Sequence, residues 1–156
     1  MTHQDSIHIG GRFIIEAIDP QTGLVVMRQE SPNLITTIGK ELLAAMLGEE
    51  SGYDTGLTYF EIGTGTNAPA VTDTALQTPL TRKAITREIR ASNIAQFRTF
   101  YTAGQSTGNL KEVGIFGHST ATATIGTGTL FARASISLDN SAAGFDVTMA
   151  YLVTVG

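Results

Sequence analysis

The feature that most constrains this chain lies between residues 130 and 155. Leu130, Ala132, Ala134, Ile136 and Leu138 recur at every second position, and Phe145, Val147, Met149, Tyr151, Val153 and Val155 do the same. Successive strand side chains point to opposite faces, so a period of two marks a strand with one buried face. The polar stretch between the two runs, opening with Asp139-Asn140-Ser141 and closing with Gly144, reads as a turn. This pattern predicts that residues 130–138 and 145–155 pair as an antiparallel hairpin.

Shorter strands fill most of the remaining sequence. Residues 7–18 are β-branched and aromatic-rich, and Gly10-Gly11 suits a bulge or bend there. Asp19-Pro20-Gln21-Thr22-Gly23 is a turn, because Asp bonds the backbone ahead, Pro presets φ and Gly accepts positive φ. Residues 24–29 then return as the hairpin partner, ended by Pro32 and Asn33. Further strands are expected at 57–62 and 110–116, with 83–90 pairing 94–102 across Ala91-Ser92-Asn93. One helix is predicted over 37–47. Thr36 or Thr37 caps it, Glu41 lies near its start, Ile38, Leu42, Ala45 and Met46 follow helical spacing, and Gly48 stops it. Leu43 and Leu47 widen the apolar face, so the helix is expected to be largely covered, while Gly39 weakens its first turn slightly. The expected fold is mainly β, an antiparallel sandwich or barrel-like domain carrying that helix. It divides into an N-terminal arm and hairpin over 1–32 and a sandwich-like region over 33–156, together one structural unit. A chain of 156 residues can bury a full core without staples.

Composition narrows the chemistry. Cysteine is absent, which removes disulfides, thiolate metal sites and thiol nucleophiles. Charged residues make up only 15%, against about 25% in a typical globular chain, so uncharged polar groups must cover the surface. A net charge of −4 gives no bulk attraction to nucleic acid or anionic membrane. No run approaches a membrane span, and Met1-Thr2-His3-Gln4-Asp5 lacks the regions of a secretion signal. The pentapeptide Ile-Gly-Thr-Gly-Thr occurs at 62–66 and again at 125–129. A phosphate loop needs a Gly-Lys-Ser/Thr ending, and a dinucleotide fingerprint needs a following helix, whereas Asn67-Ala68-Pro69 follows the first copy. Both copies read as reused turn chemistry. His3, His8 and His118 are scattered, and the carboxylates form no evident acid/base couple, so no catalytic residue, metal site or cofactor is expected. Absent Trp and only 7% aromatic residues weigh against a carbohydrate-binding module.

One charge anomaly stands out. Arg82, Lys83, Arg87, Arg90 and Arg98 fall within seventeen residues and hold half of the ten cations. They are either a solvated strand face or an interface that meets acidic patches on neighbouring subunits. His3 and Ile7, in the N-terminal arm, are the other interface candidates.

A series of segments then gains meaning from its order. Asn33-Leu34-Ile35-Thr36 precedes the helix, and Ile62-Gly63-Thr64-Gly65-Thr66 leads to Pro69 and Asp73-Thr74-Ala75-Leu76. Lys111-Glu112-Val113-Gly114-Ile115-Phe116 and Gly128-Thr129-Leu130-Phe131-Ala132-Arg133 follow. From about Asn33 onward this series resembles small structural proteins of tailed-bacteriophage virions. The resemblance implies a non-enzymatic component, present in many copies, that contacts other capsid or tail subunits and copies of itself, without nucleic acid or membrane. It implies assembly into a virion in the cytoplasm of a bacterial host. Capsid decoration or cement is the expected role, since Gly156 directly follows an apolar strand where a receptor-binding fibre would continue. A baseplate or fibre-attachment component is the alternative, and a β-sandwich ligand-binding module or enzyme the second.

Overall fold

Every strand with one apolar stripe needs a cover, and here two five-stranded antiparallel sheets cover each other. The computed structural model describes residues 6–53 and 55–156. Sheet A runs β2 (Val25–Pro32), β1 (Ile9–Ile18), β10 (Asp146–Val155), β7 (Ile94–Tyr101), β6 (Arg87–Ala91). Sheet B runs β3 (Leu34–Ile35), β9 (Thr129–Asn140), β8 (Gly108–Gly117), β4 (Leu57–Gly63), β5 (Pro79–Ala84). Phe13, Ile15, Tyr101, Val147, Met149 and Tyr151 of sheet A meet Phe60, Ile62, Val113, Ile115 and Ala134 of sheet B in one core. The mainly β fold with one helix is the one expected, and the N-terminal hairpin is built into it, with β1 lying between β2 and β10. Asp19 Oδ1 accepts from Gln21 N at 2.8 Å and Gly23 takes φ 70°, as that turn requires.

The strongest pairing expectation fails. β9 and β10 lie in different sheets: β9 pairs with β8 and β3, and β10 with β1 and β7. Alternation shows that a strand has one buried face, but two such faces can lie side by side or look at each other across a core. The connection decides. Asn140 is buried, and its Nδ2 donates to Phe145 O (2.9 Å), Ser106 Oγ (3.0 Å) and Ser106 O (3.1 Å), while its Oδ1 accepts from Phe145 N (3.0 Å). The amide thus braces an arch that crosses the roughly 10 Å between sheets instead of a tight turn spanning about 5 Å. Ser106 lies in the β7–β8 connection, so one side chain ties two sheet crossings together.

The second expected pairing holds only in its later half. β6 pairs β7 from Arg87↔Arg98 to Ala91↔Ile94, but residues 79–84 belong to sheet B. The chain changes sheets within one step: Ile85 N donates to Thr58 O (2.8 Å), and Thr86 N to Arg98 O (2.9 Å). Gly10-Gly11 is not a bulge, since β1 keeps regular register there and shifts only between Ala17 and Ile18. A Cβ on Gly11 would lie 2.7 Å from the Tyr151 hydroxyl, which accepts from Asn33 Nδ2 at 2.9 Å.

Helix α1 (Thr37–Leu47) has its expected bounds and cap, with Thr36 Oγ1 accepting from Gly39 N at 2.9 Å. The same hydroxyl donates to Leu130 O at 2.6 Å, pinning the helix start to β9. Coverage is thinner than expected: only Gly39 and Leu42 are buried, and Leu47 is 80% exposed. Gly39 is needed rather than merely tolerated, because a Cβ there would collide with the Phe131 carbonyl. Replacing a helical Gly by Ala ordinarily gains up to about 1 kcal/mol. Here Gly39→Ala is expected to lose about 1–3 kcal/mol through overpacking, read as a lower urea midpoint.

Burial raises the pKa of both core phenols, Tyr101 further through Glu61 and against the pull of Arg82, Tyr151 against the Asn33 hydrogen bond. The folded state therefore keeps protons that the unfolded phenols release near pH 10. Stability is pH-independent on this account below about 10 and falls above it, by up to about 1.4 kcal/mol per pH unit for each tyrosine. Among the described residues, the Tyr101 hydroxyl has no hydrogen-bond partner. Tyr101→Phe is expected to leave stability at pH 7 equal or higher and to make the alkaline decline shallower, measured by urea unfolding at pH 7 and pH 11.

Candidate functional site

Charge is distributed very differently on the two outer faces of the sandwich. On sheet B it is buried. Glu61 of β4 lies opposite Arg82 of β5 and Gly114 of β8, and Gly114 in turn lies opposite Arg133 of β9. Arg82 Nη1 donates to Glu61 Oε2 at 2.7 Å, and Arg133 Nη2 donates to Glu112 Oε2 at 2.8 Å, all four side chains being almost fully enclosed. The cover comes from the connections over residues 64–78 and 118–128. Glu112 accepts from the backbone N–H groups of Gly65 (3.1 Å), Gln77 (2.9 Å) and Thr78 (2.7 Å). Arg133 spans outward to Asp73 Oδ2 (2.6 Å) and Asn67 O (3.1 Å). Glu61 accepts from Gly126 N (3.0 Å), while Arg82 donates to Thr127 O (2.6 Å) and lies over the Phe116 and Tyr59 rings.

Both copies of Ile-Gly-Thr-Gly-Thr thus have the same job. Each brings a glycine N–H onto a buried carboxylate whose arginine partner holds a carbonyl of the same loop. A Cβ on Gly65 would lie 2.5 Å from Glu112 Oε1, which explains the glycine. Reused turn chemistry was legible, but the carboxylates that receive it were not. Their signal was available: Glu61 and Glu112 sit inside apolar strand runs, where a charge needs a partner.

The five clustered cations do not form one surface. Arg82 is a correction to the interface expectation, because its guanidinium is enclosed in the ion pair with Glu61 and cannot reach a neighbour. Lys83 is half-buried, with Nζ donating to Gln105 Oε1 at 3.2 Å. Arg90 is exposed, donates to Ser92 O at 3.2 Å, and by its register opposite Ala95 points to the other side of β6 from Arg87. Only Arg87 and Arg98 are brought together, directly opposed on the outer face of sheet A. Ile7 is 76% exposed beside the first strand, and His3 lies outside the described residues.

On that face the β1–β2 half is internally compensated: Arg28 contacts Glu30 (2.7 Å) and Glu16 (3.8 Å), and Arg12 contacts Glu30 (3.5 Å). Among the described residues, Arg87 and Arg98 contact no carboxylate. The Gln96 carbonyl, oriented by its partners, accepts from Arg98 Nη2 (2.8 Å) and Nε (2.9 Å) and leaves its other donors free. Opposed like charges across a strand pair are destabilising unless something outside compensates them. Between the two halves runs a groove of about 360 Å³ with Ile14 and Ala150 in its lining and the half-exposed Phe100 at its side. The site is therefore a sheet face with an apolar centre, Glu16 and Arg28 on one side of it and the two opposed arginines on the other. His118 offers no comparable chemistry: Nδ1 accepts from Thr120 N (3.1 Å), the ring packs on Tyr53, and among the described residues no carboxylate bonds it.

Compared with known proteins, the chain matches no family model, no curated protein sequence and no solved structure. Among the described residues, no group of three His, Cys, Asp or Glu side chains could hold a metal ion, and no helix is long and apolar enough to cross a membrane.

Removing one partner of a buried, hydrogen-bonded ion pair costs about 3–5 kcal/mol. Glu112→Ala should lose stability on that scale in urea unfolding and open residues 64–78 to limited proteolysis. Asp73→Asn, at the more exposed end of the same chain of contacts, should cost no more than about 1 kcal/mol.

Proposed function

We propose that this protein is a non-enzymatic structural component of a bacteriophage particle, assembled in many copies, with capsid decoration as its role. The observation that carries this reading is the Arg87–Arg98 pair, which contacts no carboxylate among the described residues, on an exposed sheet face whose other charges are paired. A guanidinium pair beside an apolar groove suits the acidic surface of a neighbouring subunit, because planar forks bind carboxylates in pairs and arginine is favoured at interfaces. The ordered motif series from Asn33 to Arg133 supports the same reading. So do the two ion-paired loops, which hold the outer layer of sheet B in place and leave a rigid body for repeated docking. Many identical copies multiply a modest contact, so each interface can be weak.

A tail position, as a baseplate or fibre-attachment part, uses the same face against a different neighbour, and a density map of the intact particle distinguishes the two. The direct test is mass spectrometry of purified particles. The wild-type chain is expected at a fixed, multi-copy stoichiometry, and its absence would end the virion reading. Charge reversal at Arg87 and Arg98 should lower occupancy several-fold while changing stability by no more than about 0.5 kcal/mol, since exposed substitutions seldom do more. Deleting residues 1–6, the arm bearing His3, should weaken attachment more than folding. Wild-type occupancy in both variants would remove these contacts from the proposal.

A further inference from the structure

The arginine pair has a counterpart at the end of α1. Leu47 is 80% exposed there, and Glu49 and Glu50 follow it, both exposed. Backbone hydrogen bonds hold this corner in shape: Gly48 N donates to Ala44 O (3.0 Å), Glu50 N to Ala45 O (3.0 Å) and Tyr53 N to Glu50 O (3.1 Å). Two carboxylates at a helix C-terminus oppose the helix dipole, whose negative end lies there. The last turn carries no basic residue to offset them, and among the described residues neither glutamate makes an ion pair. The corner and the groove therefore share one peculiarity with opposite sign. Each concentrates like charge against a local electrostatic rule, and each sets that charge beside exposed apolar surface: Leu47 in one, Phe100 in the other.

Among the described residues, neither glutamate pairs with Arg87 or Arg98 within one molecule. The cleft beneath α1 is lined by Leu43 and Met46 together with Phe97, Val153 and Glu88, whose side chains lie on the inner side of sheet A. Arg87 and Arg98 occupy the outer side of that same sheet. We propose that a second copy of this chain is the occupant of the groove: the Leu47–Glu50 corner of one copy docks on the Arg87–Arg98 groove of the next, with Leu47 against Phe100 and the carboxylates on the guanidinium groups. The two surfaces differ, so the contact is head-to-tail and a pair keeps one free surface of each kind, building rings or chains rather than closed pairs. This rests on the reading of the arginine pair as a protein-docking face and names the protein.

Sedimentation of the purified full chain tests the contact. Wild type is expected to associate with rising concentration at low ionic strength, and about 0.5 M salt should weaken that association tenfold or more, because the charges are solvent-accessible. The double variants Arg87→Glu/Arg98→Glu and Glu49→Arg/Glu50→Arg should each be monomeric alone. The first keeps its acidic corner and the second its basic groove, and the reversed corner of the second also complements the reversed groove of the first, so mixing them should restore the association that neither variant shows alone. A loss of folding would not produce that restoration, and circular dichroism confirms the fold of each variant. Should a reversed variant fail to fold, the neutral pairs Arg87→Gln/Arg98→Gln and Glu49→Gln/Glu50→Gln replace them, each expected to weaken association at least several-fold. A wild-type chain that stays monomeric, a mixture that stays monomeric, or neutral variants that associate like wild type would overturn the contact. Particle occupancy separates this outcome from the broader reading. A chain that enters particles without self-associating refutes the self-contact alone, and one that self-associates but is missing from particles refutes the virion role alone.

Discussion

Glu112 sits on a central strand of sheet B with its charge directed away from the core, and it is still almost fully buried. A carboxylate in that position must be neutralised and hydrogen-bonded on every side or it will unfold its surroundings. The outer layer of sheet B is the set of groups that satisfy it: one guanidinium and three backbone N–H groups drawn from a long connection. Arg133, in turn, donates from Nη1 to Asp73 and from Nη2 to Asn67 O, while its buried Nε has no partner among the described residues. The path of residues 64–78 follows from these needs more than from any secondary-structure preference. Leu76 fills the remaining space, packing over Gly114 beside Leu130 and Phe116 and giving the sandwich a third, thin apolar layer.

Sheet A follows the opposite rule. Among the described residues no connection covers its outer face, so its charges remain in water, where pairing contributes little to stability. Stability therefore places little restraint on which charges appear there, and the described residues divide into a compensated half and a half bearing the two arginines. The contrast matters for mutagenesis. Two arginines sixteen positions apart in sequence, Arg82 and Arg98, have unlike roles, one holding the fold together and the other exposed on the surface.

Much of the fold was legible in the sequence because local rules decided it. The Asp19–Gly23 turn, the Thr36 cap and the bounds of α1 each depend on residues within a few positions of one another. The β9–β10 pairing was not legible, since alternation is the same for a hairpin and an arch, and the choice lay with Asn140 and a serine thirty-four positions earlier. The break between β5 and β6 was hidden for a similar reason: nothing in Ala84-Ile85-Thr86 distinguishes a continuous strand from a change of sheet. At the candidate site the sequence supplied the right residue type and the wrong grouping. Spacing along the chain placed five cations together, and the fold brings only Arg87 and Arg98 to one face.

The position of β10 has a consequence for how the molecule is made. In sequence it is the last strand of the sandwich, and in space it lies between β1 and β7, so it alone joins the β1–β2 and β6–β7 hairpins into one sheet. Until residues 146–155 leave the ribosome, two separate hairpins must wait with their apolar inner faces uncovered. Non-local pairing of this kind is slow, and waiting edges of this kind invite aggregation. Synthesis rate across residues 146–155, and chaperones that shield nascent hairpins, should therefore govern the yield of folded protein more than the stability of the finished sandwich does.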